Sequence, residues 1–311
     1  MEMATIKDVA KKAGVSISTV SIVINGKDKE RKISQKTVQN VWNAIEELHY
    51  KPNKNALRLR SAPQSKTIVL FYNQEMDLAI LTAFIKGVSK QSLEVDLQIV
   101  GLNPQDLSKS LLLGKILEAD GLICIGFDQK MIALLESFPI EVPLVLFNRQ
   151  SDSFSSVCVD EESVLDLIHS HFSLNNRTAC IYSKKDPFSG AIAEKMKTKY
   201  HCSLYPAATF EPKEGYDACL LIPFSKVSHL VVTSFDLCCG VLKYCSQYQI
   251  QEIELLVLCG EEQSLLSYIA PNTRSIRIPY SKMAVGSLVL VQKLIEGAVK
   301  EDWIAAPLFL D

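Results

Sequence analysis

Two architectures in series are predicted by this 311-residue sequence: a small all-α head built on a helix-turn-helix pair, and an α/β core with parallel sheets arranged in two lobes. Three observations predict them. Residues Thr5 to Asn25, TIKDVAKKAGVSISTVSIVIN, carry apolar side chains at helical spacing on both sides of a single glycine. From residue 67 onward, short apolar runs alternate with helical patterns, as in parallel sheets covered by helices on both faces. About nine such runs are rather many for one sheet, so the core divides into two lobes.

In the first helix of the head, Ile6, Val9, Ala10 and Ala13 share one face. Gly14 supplies the turn, where a left-handed backbone is cheap only for glycine. Ser16 then caps a second helix from about Ile17 to Ile24, with Val20, Val23 and Ile24 pointing inward. Asn25-Gly26 stops it. Small Ala10, the Gly14 corner and Val20 let the helices cross closely at a steep angle. In that geometry the second helix can lie in the major groove of DNA.

After the charged loop GKDKERK, Ser34 caps a third helix running to about His49. Val38, Val41, Trp42, Ile45 and Leu48 form its apolar stripe, and Trp42 is the expected anchor of the head's core. Tyr50-Lys51-Pro52-Asn53 ends the helix, because proline forces the preceding residue out of helical geometry. Asn53 can cap a short segment, Lys54 to Arg60 (KNALRLR), that is too short to stay helical alone in water. Residues 61–65 read as linker.

In the core, strands are expected at Thr67–Tyr72, Val95–Val100, Gly121–Ile125, Leu144–Phe147, Ser156–Val159, Ala179–Tyr182, Leu230–Thr233, Leu255–Leu258 and Ser275–Ile278. Helical patterns lie at Asp77–Gln91, Leu107–Glu118, Lys130–Phe138, Glu161–Phe172, Ser189–Tyr200 and Lys282–Glu296. Tyr200 to Ser225 carries no clear pattern. Ligands in open parallel α/β sheets bind beyond the carboxyl ends of the strands. In two lobes those ends can face each other across a cleft that closes by hinge bending around a small molecule.

The net charge of −2 hides an asymmetry. Residues 1–66 carry 13 Lys/Arg against 6 Asp/Glu, and the remainder 20 against 29. The head is therefore the end suited to a polyanion. No apolar run reaches the roughly 18 residues of a membrane span. The start, MEMATIKD, lacks a basic-then-apolar signal segment, so a cytoplasmic protein without membrane partners is expected. Nine cysteines between Cys124 and Cys259 form no CxxC pair and mostly sit in apolar runs, as buried reduced thiols would. Adjacent Cys238 and Cys239 are where a redox sensor would lie. The sequence has no P-loop, GxGxxG, GxSxG elbow or metal-spaced His/Cys/Asp cluster, and its five histidines are scattered. Neither an enzyme, a cofactor nor a metal site is expected.

TIKDVAKKAGVS, STVSIVIN, a third helix ending in AIEELHY, and YKPNKNALRLRS, in that order, closely resemble the lactose-repressor/galactose-repressor (LacI/GalR) family of bacterial transcription regulators over residues 4–61. A looser, collinear resemblance continues through ADGLI (119–123), PLVLFNR (143–149), VCVDEES (157–163) and RIPYSKMAVGSLVLVQKLIEG (277–297). The resemblance implies a homodimeric repressor whose heads occupy adjacent major grooves of a palindromic operator. Its hinge segments would fold on DNA and insert a leucine into the minor groove. Its core would resemble periplasmic sugar-binding proteins and sense a small, sugar-like effector. The implied division is a headpiece of 1–52, a hinge helix and linker of 53–65, and a core of 66–311. Within the core, lobe 1 is expected at about 66–148 and 279–300, and lobe 2 at about 149–278 and 301–311.

Ile17 and Ser18, at the start of the second helix, are placed to meet base edges. Thr19, Ser21 and Asn25 have short polar side chains suited to phosphates. The expected DNA-contacting set is completed by Thr5, Ser16 and Ile22, with Asn53, Ala56, Leu59 and Arg60 in the hinge. Leu59 corresponds to the family's intercalating leucine, and Arg58 and Arg60 flank it along the phosphates. Ile22 departs from the family, which usually has arginine there; isoleucine can meet a thymine methyl instead. Leu57 also replaces a frequent arginine.

The effector side departs further. Asn148-Arg149 stands where many relatives have Asp-Arg, and Glu261 where they have an aspartate that grips a ligand hydroxyl. Asp236 resembles a helix-start aspartate, one residue out of register. Asn148, Arg149, Asp236 and Glu261 are the expected effector-binding residues. YNQEMD and LNNRTA replace family-typical segments, which leaves redox state or a protein partner as alternative signals for the core.

Overall fold

The computed structural model describes residues 4–24, 28, 31–48, 50, 66–91, 95–105, 115–116, 119–137, 140–261 and 265–310. The chain divides into two compact units, one of Met1–Phe71, Leu93–Leu122 and Ile140–Pro143, the other of Tyr72–Ser92, Ile123–Pro139 and Leu144–Asp311. The expected hinge, 53–65, lies outside the described residues, as does most of the Leu107–Glu118 pattern.

The head holds α1 (Ile6–Ala13), α2 (Ile17–Ile24) and α3 (Gln35–Glu47). Val9, Ala10, Val20, Val23, Ile24, Val41, Trp42, Ala44 and Ile45 form its buried core. Local chemistry fixes each helix start. The Thr5 N–H and hydroxyl both donate to Asp8, at 2.8 and 2.6 Å. Ser16 Oγ accepts from the Thr19 N–H at 3.1 Å, and Ser34 Oγ from the Thr37 N–H at 3.2 Å. Gly14 takes φ +67°, and the Val15 N–H closes α1 by donating to the Ala10 carbonyl.

The core strands are β1 (Lys66–Asn73), β2 (Val95–Leu102), β3 (Gly121–Ile125), β4 (Leu144–Phe147), β5 (Ser155–Val159), β6 (Thr178–Ser183), β7 (Ser203–Ala207), β8 (His229–Val232), β9 (Glu254–Gly260), β10 (Arg274–Ile278), β11 (Asp302–Ala305) and β12 (Leu308–Leu310). The helices are α4 (Leu78–Ser89), α5 (Gln129–Glu136), α6 (Glu161–Phe172), α7 (Pro187–Tyr200), α8 (Pro212–Cys219), α9 (Phe235–Gln247), α10 (Leu266–Ile269) and α11 (Tyr280–Ile295). The first sheet runs β11-β5-β4-β3-β1-β2 and the second β12-β10-β9-β8-β6-β7.

Three expectations need correction. β5, expected in the second lobe, lies parallel to β4, with Val145 opposite Ser155, and so belongs to the first sheet. β11, also expected in the second lobe, joins the same edge through Asp302 opposite Ser156. There the Asp302 carboxylate accepts from the Ser156 N–H and hydroxyl, at 2.9 and 2.7 Å. The chain therefore changes sheets at Asp160, Pro279 and Ala306-Pro307, rather than near 148 and 300. Finally, the sheets are not wholly parallel, because β12 pairs antiparallel to β10 with Arg277 opposite Leu308.

In the unread segment 200–225, β7 sits at the end of the second sheet and contains Pro206. Proline is tolerated at an edge because only one side of the strand needs donors. α8 packs on α9 at backbone contact. A Cβ on Gly240 would lie 1.7 Å from the Pro212 carbonyl oxygen, so no side chain fits there.

Candidate nucleic-acid interface and effector pocket

The apolar stripe of α2 buries Val20, Val23 and Ile24 and so turns the start of the helix outward. Ile17, at the first helical position, is 44% exposed. Ser16 and Ser18 are exposed, and Thr19, Ser21 and Ile22 half-buried. Ser16 Oγ lies 2.7 Å from Ser18 Oγ and 2.8 Å from Thr19 Oγ1. The start of α2 therefore presents a row of hydroxyls beside one bare aliphatic side chain, at the positive end of a helix dipole. Thr5 is exposed at the start of α1, where its two hydrogen bonds hold the Asp8 carboxyl below its ordinary range. Asn25, Asn53, Ala56, Leu59 and Arg60 lie outside the described residues.

A pocket in the core is lined by the ends of β8, β9 and β10 and the starts of α4, α7, α9 and α11. The space open to the centres of water molecules is about 20 Å³. Two of its residues are helix caps. Asp77 Oδ1 accepts from the Ala79 N–H at 2.8 Å. Asp186 accepts from the Phe188 and Ser189 N–H groups, each at 3.1 Å, and from the Ser189 hydroxyl. Burial pushes the Asp77 carboxyl up to about 6, and the charges of Asp236 and Asp186 add to the rise. Burial also raises Asp236. Thr233 Oγ1 and Ser234 Oγ line the same pocket, are buried, and have no hydrogen-bond partner. Phe188, Phe210, Phe235 and Tyr280 supply its aromatic wall.

The four expected effector residues divide into two kinds. Arg149 reaches toward the pocket, with Nη2 3.7 Å from Asp186 Oδ1. It also donates to the carbonyls of Phe127 at 3.3 Å and Asn148 at 2.9 Å. Burial lowers the Arg149 pKa and Asp186 counters the drop. Asp236, in the first turn of α9, acts on Asp77 through its charge. Asn148 and Arg149 also line a second pocket with Cys158, Asp160 and Glu161, and the side chains of Asn148 and Glu261 hold the backbone. Asn148, at φ +54°, accepts from the Val159 N–H at 3.2 Å and joins the ends of β4 and β5. Glu261 Oε1 accepts from the Ser281 N–H at 2.9 Å and holds the start of α11. Sequence reasoning missed Asp77, Asp186, Thr233 and Ser234. The available signal was a carboxylate or hydroxyl standing directly before a helix and after a strand, in KKDPFSG and VVTSFD.

These features define a two-part protein: a helix-turn-helix head on a two-sheet, periplasmic-binding-protein-like α/β core. Residues 5–53 match the family described as "Bacterial regulatory proteins, lacI family". A 152-residue stretch is 33% identical to the HTH-type transcriptional repressor PurR of Escherichia coli O139:H28, covering 47% of this chain and 43% of that relative. The chain thus spans less than half the length of the curated relatives it matches. Among solved structures, the lac repressor dimer bound to operator and the anti-inducer ONPF is similar over 100% of this chain and 98% of that one, at 19% identity and TM-score 0.64. A LacI family transcription regulator from Clostridium acetobutylicum is similar over 79% and 99%, at 19% identity and TM-score 0.65. The transcriptional regulator CelR in complex with cellobiose is similar over 99% and 98%, at 19% identity and TM-score 0.61. The head, residues 5–53, is thus similar to the lacI family of bacterial regulatory proteins, and the core shares the fold of these solved structures.

Proposed function

We propose that the protein is a transcriptional repressor that binds a palindromic operator as a homodimer and is controlled by a small, sugar-like effector held in the core pocket. One observation carries the DNA-binding part: Ile17 and the linked hydroxyls of Ser16, Ser18 and Thr19 stand exposed at the positive end of α2, in a head with a Lys/Arg excess. Ile17 and Ser18 would read base edges, with Ile22 beside them at a thymine methyl. Thr5, Ser16, Thr19, Ser21 and Asn25 would fix the register on phosphates. The hinge, 53–65, would fold on the duplex, with Leu59 as wedge between base steps, Arg60 along the phosphates, and Asn53 and Ala56 facing the DNA.

Control is linkage. An effector that binds one arrangement of the two sheets more tightly biases the hinge, and a coupling of about 1–3 kcal/mol changes operator occupancy usefully. The pocket beyond the strand ends is where such folds take ligands. PurR is by name a transcriptional repressor, and the structures of similar fold include the lac repressor with operator and ONPF and CelR with cellobiose. Thiol sensing has less behind it. Burial raises the pKa of Cys238 and also of its less buried neighbour Cys239, which disfavours the reactive thiolate. Selection of bound sequences from random duplexes with the purified protein tests the reading. A two-fold symmetric site is expected; no preference over scrambled DNA at moderate salt defeats it.

A further inference from the structure

We propose that the core pocket takes a compact ligand carrying a cationic amine together with hydroxyl groups, as in an amino alcohol or a small amino sugar; this rests on the pocket being the effector site. Two independent sets of groups point there.

The first is charge. Asp77 and Asp186 line the pocket, and the charges of Asp236 and Asp186 act on Asp77. Two guanidiniums offset them: Arg149 serves Asp186 and two main-chain carbonyls, and Arg277, whose charge reaches the lining Cys259, donates to the Glu261 carbonyl. Lys185, next along the chain, is paired with Glu75. Three carboxylates against two guanidiniums that are already engaged leave a negative surplus around the pocket. A neutral ligand leaves their mutual repulsion in place and an anionic one adds to it. An ammonium group relieves it and is the charged donor that carboxylates bind best. Burial is the main cause of the upward displacement of Asp77, and the repulsion from Asp236 and Asp186 adds to it.

The second set is the orphan hydroxyls. Thr233 is 8% and Ser234 3% exposed, and neither side-chain oxygen has a partner. Buried polar groups are otherwise almost always paired, so these two are suited to ligand hydroxyls or the remaining ammonium hydrogens.

Calorimetric titration of the full chain at pH 7 with ethanolamine, D-glucosamine, D-glucose and D-gluconate tests the proposal. At least one amine should bind about tenfold or more tighter than D-glucose, with D-gluconate weakest, as hydrogen bonds to charged groups allow. Asp77→Asn and Asp186→Asn should each erase the preference for the amine, and Thr233→Val should weaken the hydroxylated amine without reversing the order. D-glucose binding as tightly as either amine overturns the amine assignment and leaves the pocket an effector site. No heat with any of the four at millimolar concentration overturns both.

Discussion

Ile17 is an aliphatic side chain in solvent on a helix whose other apolar residues are buried or half-buried, so its removal should not disturb the core. Ile17→Ala is expected to keep the head's helical circular dichroism and to lower operator affinity by about 1–3 kcal/mol, with binding to scrambled duplex nearly unchanged. Gel-shift titration with both duplexes measures this. Asp77 tests the pocket's electrostatics through stability. Its carboxyl is raised from 3.8 to about 6, so folding penalises the charged form. The penalty is absent below about pH 4, grows as pH rises, and is complete above about pH 6. Asp77→Asn, which keeps an acceptor for Ala79, should therefore stabilise the protein at pH 7.5 by about 1–2 kcal/mol, after discount for partial exposure, and by less at pH 4.5. Denaturant midpoints at the two pH values show whether the gap closes. Ser16 and Ser34 were legible as caps because capping depends on neighbours three residues away. The pocket role of Asp77 was not, because Asp186 and Asp236 reach it from remote stretches of the chain.

Among elements, the α8–α9 pair offers the sharpest test. Ala at 240 puts a methyl group into the Pro212 carbonyl, so the helices must part. Gly240→Ala should destabilise by about 1–3 kcal/mol or more, seen as a lower melting temperature. Gly190→Ala in α7 is the control: nothing lies within 4 Å of its Cβ, and a helical alanine should be neutral or stabilising by about 0.5–1 kcal/mol. All nine expected strands are present, and all of them except the edge strand β2 are largely buried, mostly apolar runs. β7, β11 and β12 were missed because short edge strands such as SLYPA and DWIA lack that run. The lobe boundaries went astray for a related reason. Sequence shows that β5 is a strand, but only pairing shows that it lies beside β4 and β11.

At the scale of the whole molecule, the charge asymmetry and the expected hinge make two linked statements. Operator affinity should fall steeply with salt, since each neutralised phosphate releases counterions with a slope of about 0.9 per contact. A flat response between low and physiological salt would contradict a docked basic head. Leu59→Ala should weaken operator binding far more than binding to random duplex, because the wedge repays its cost only where the central base step unstacks easily; equal losses would remove Leu59 from that role. The three passages between sheets carry a mechanical consequence. Val159 lies opposite Ala305, and Arg277 opposite Leu308, so the passages at Asp160, Pro279 and Ala306-Pro307 run side by side. A single strap would permit twist, slide and swing alike. Three abreast form a piano hinge, which resists twist and slide and leaves rotation about one shared axis as the soft motion between the sheets.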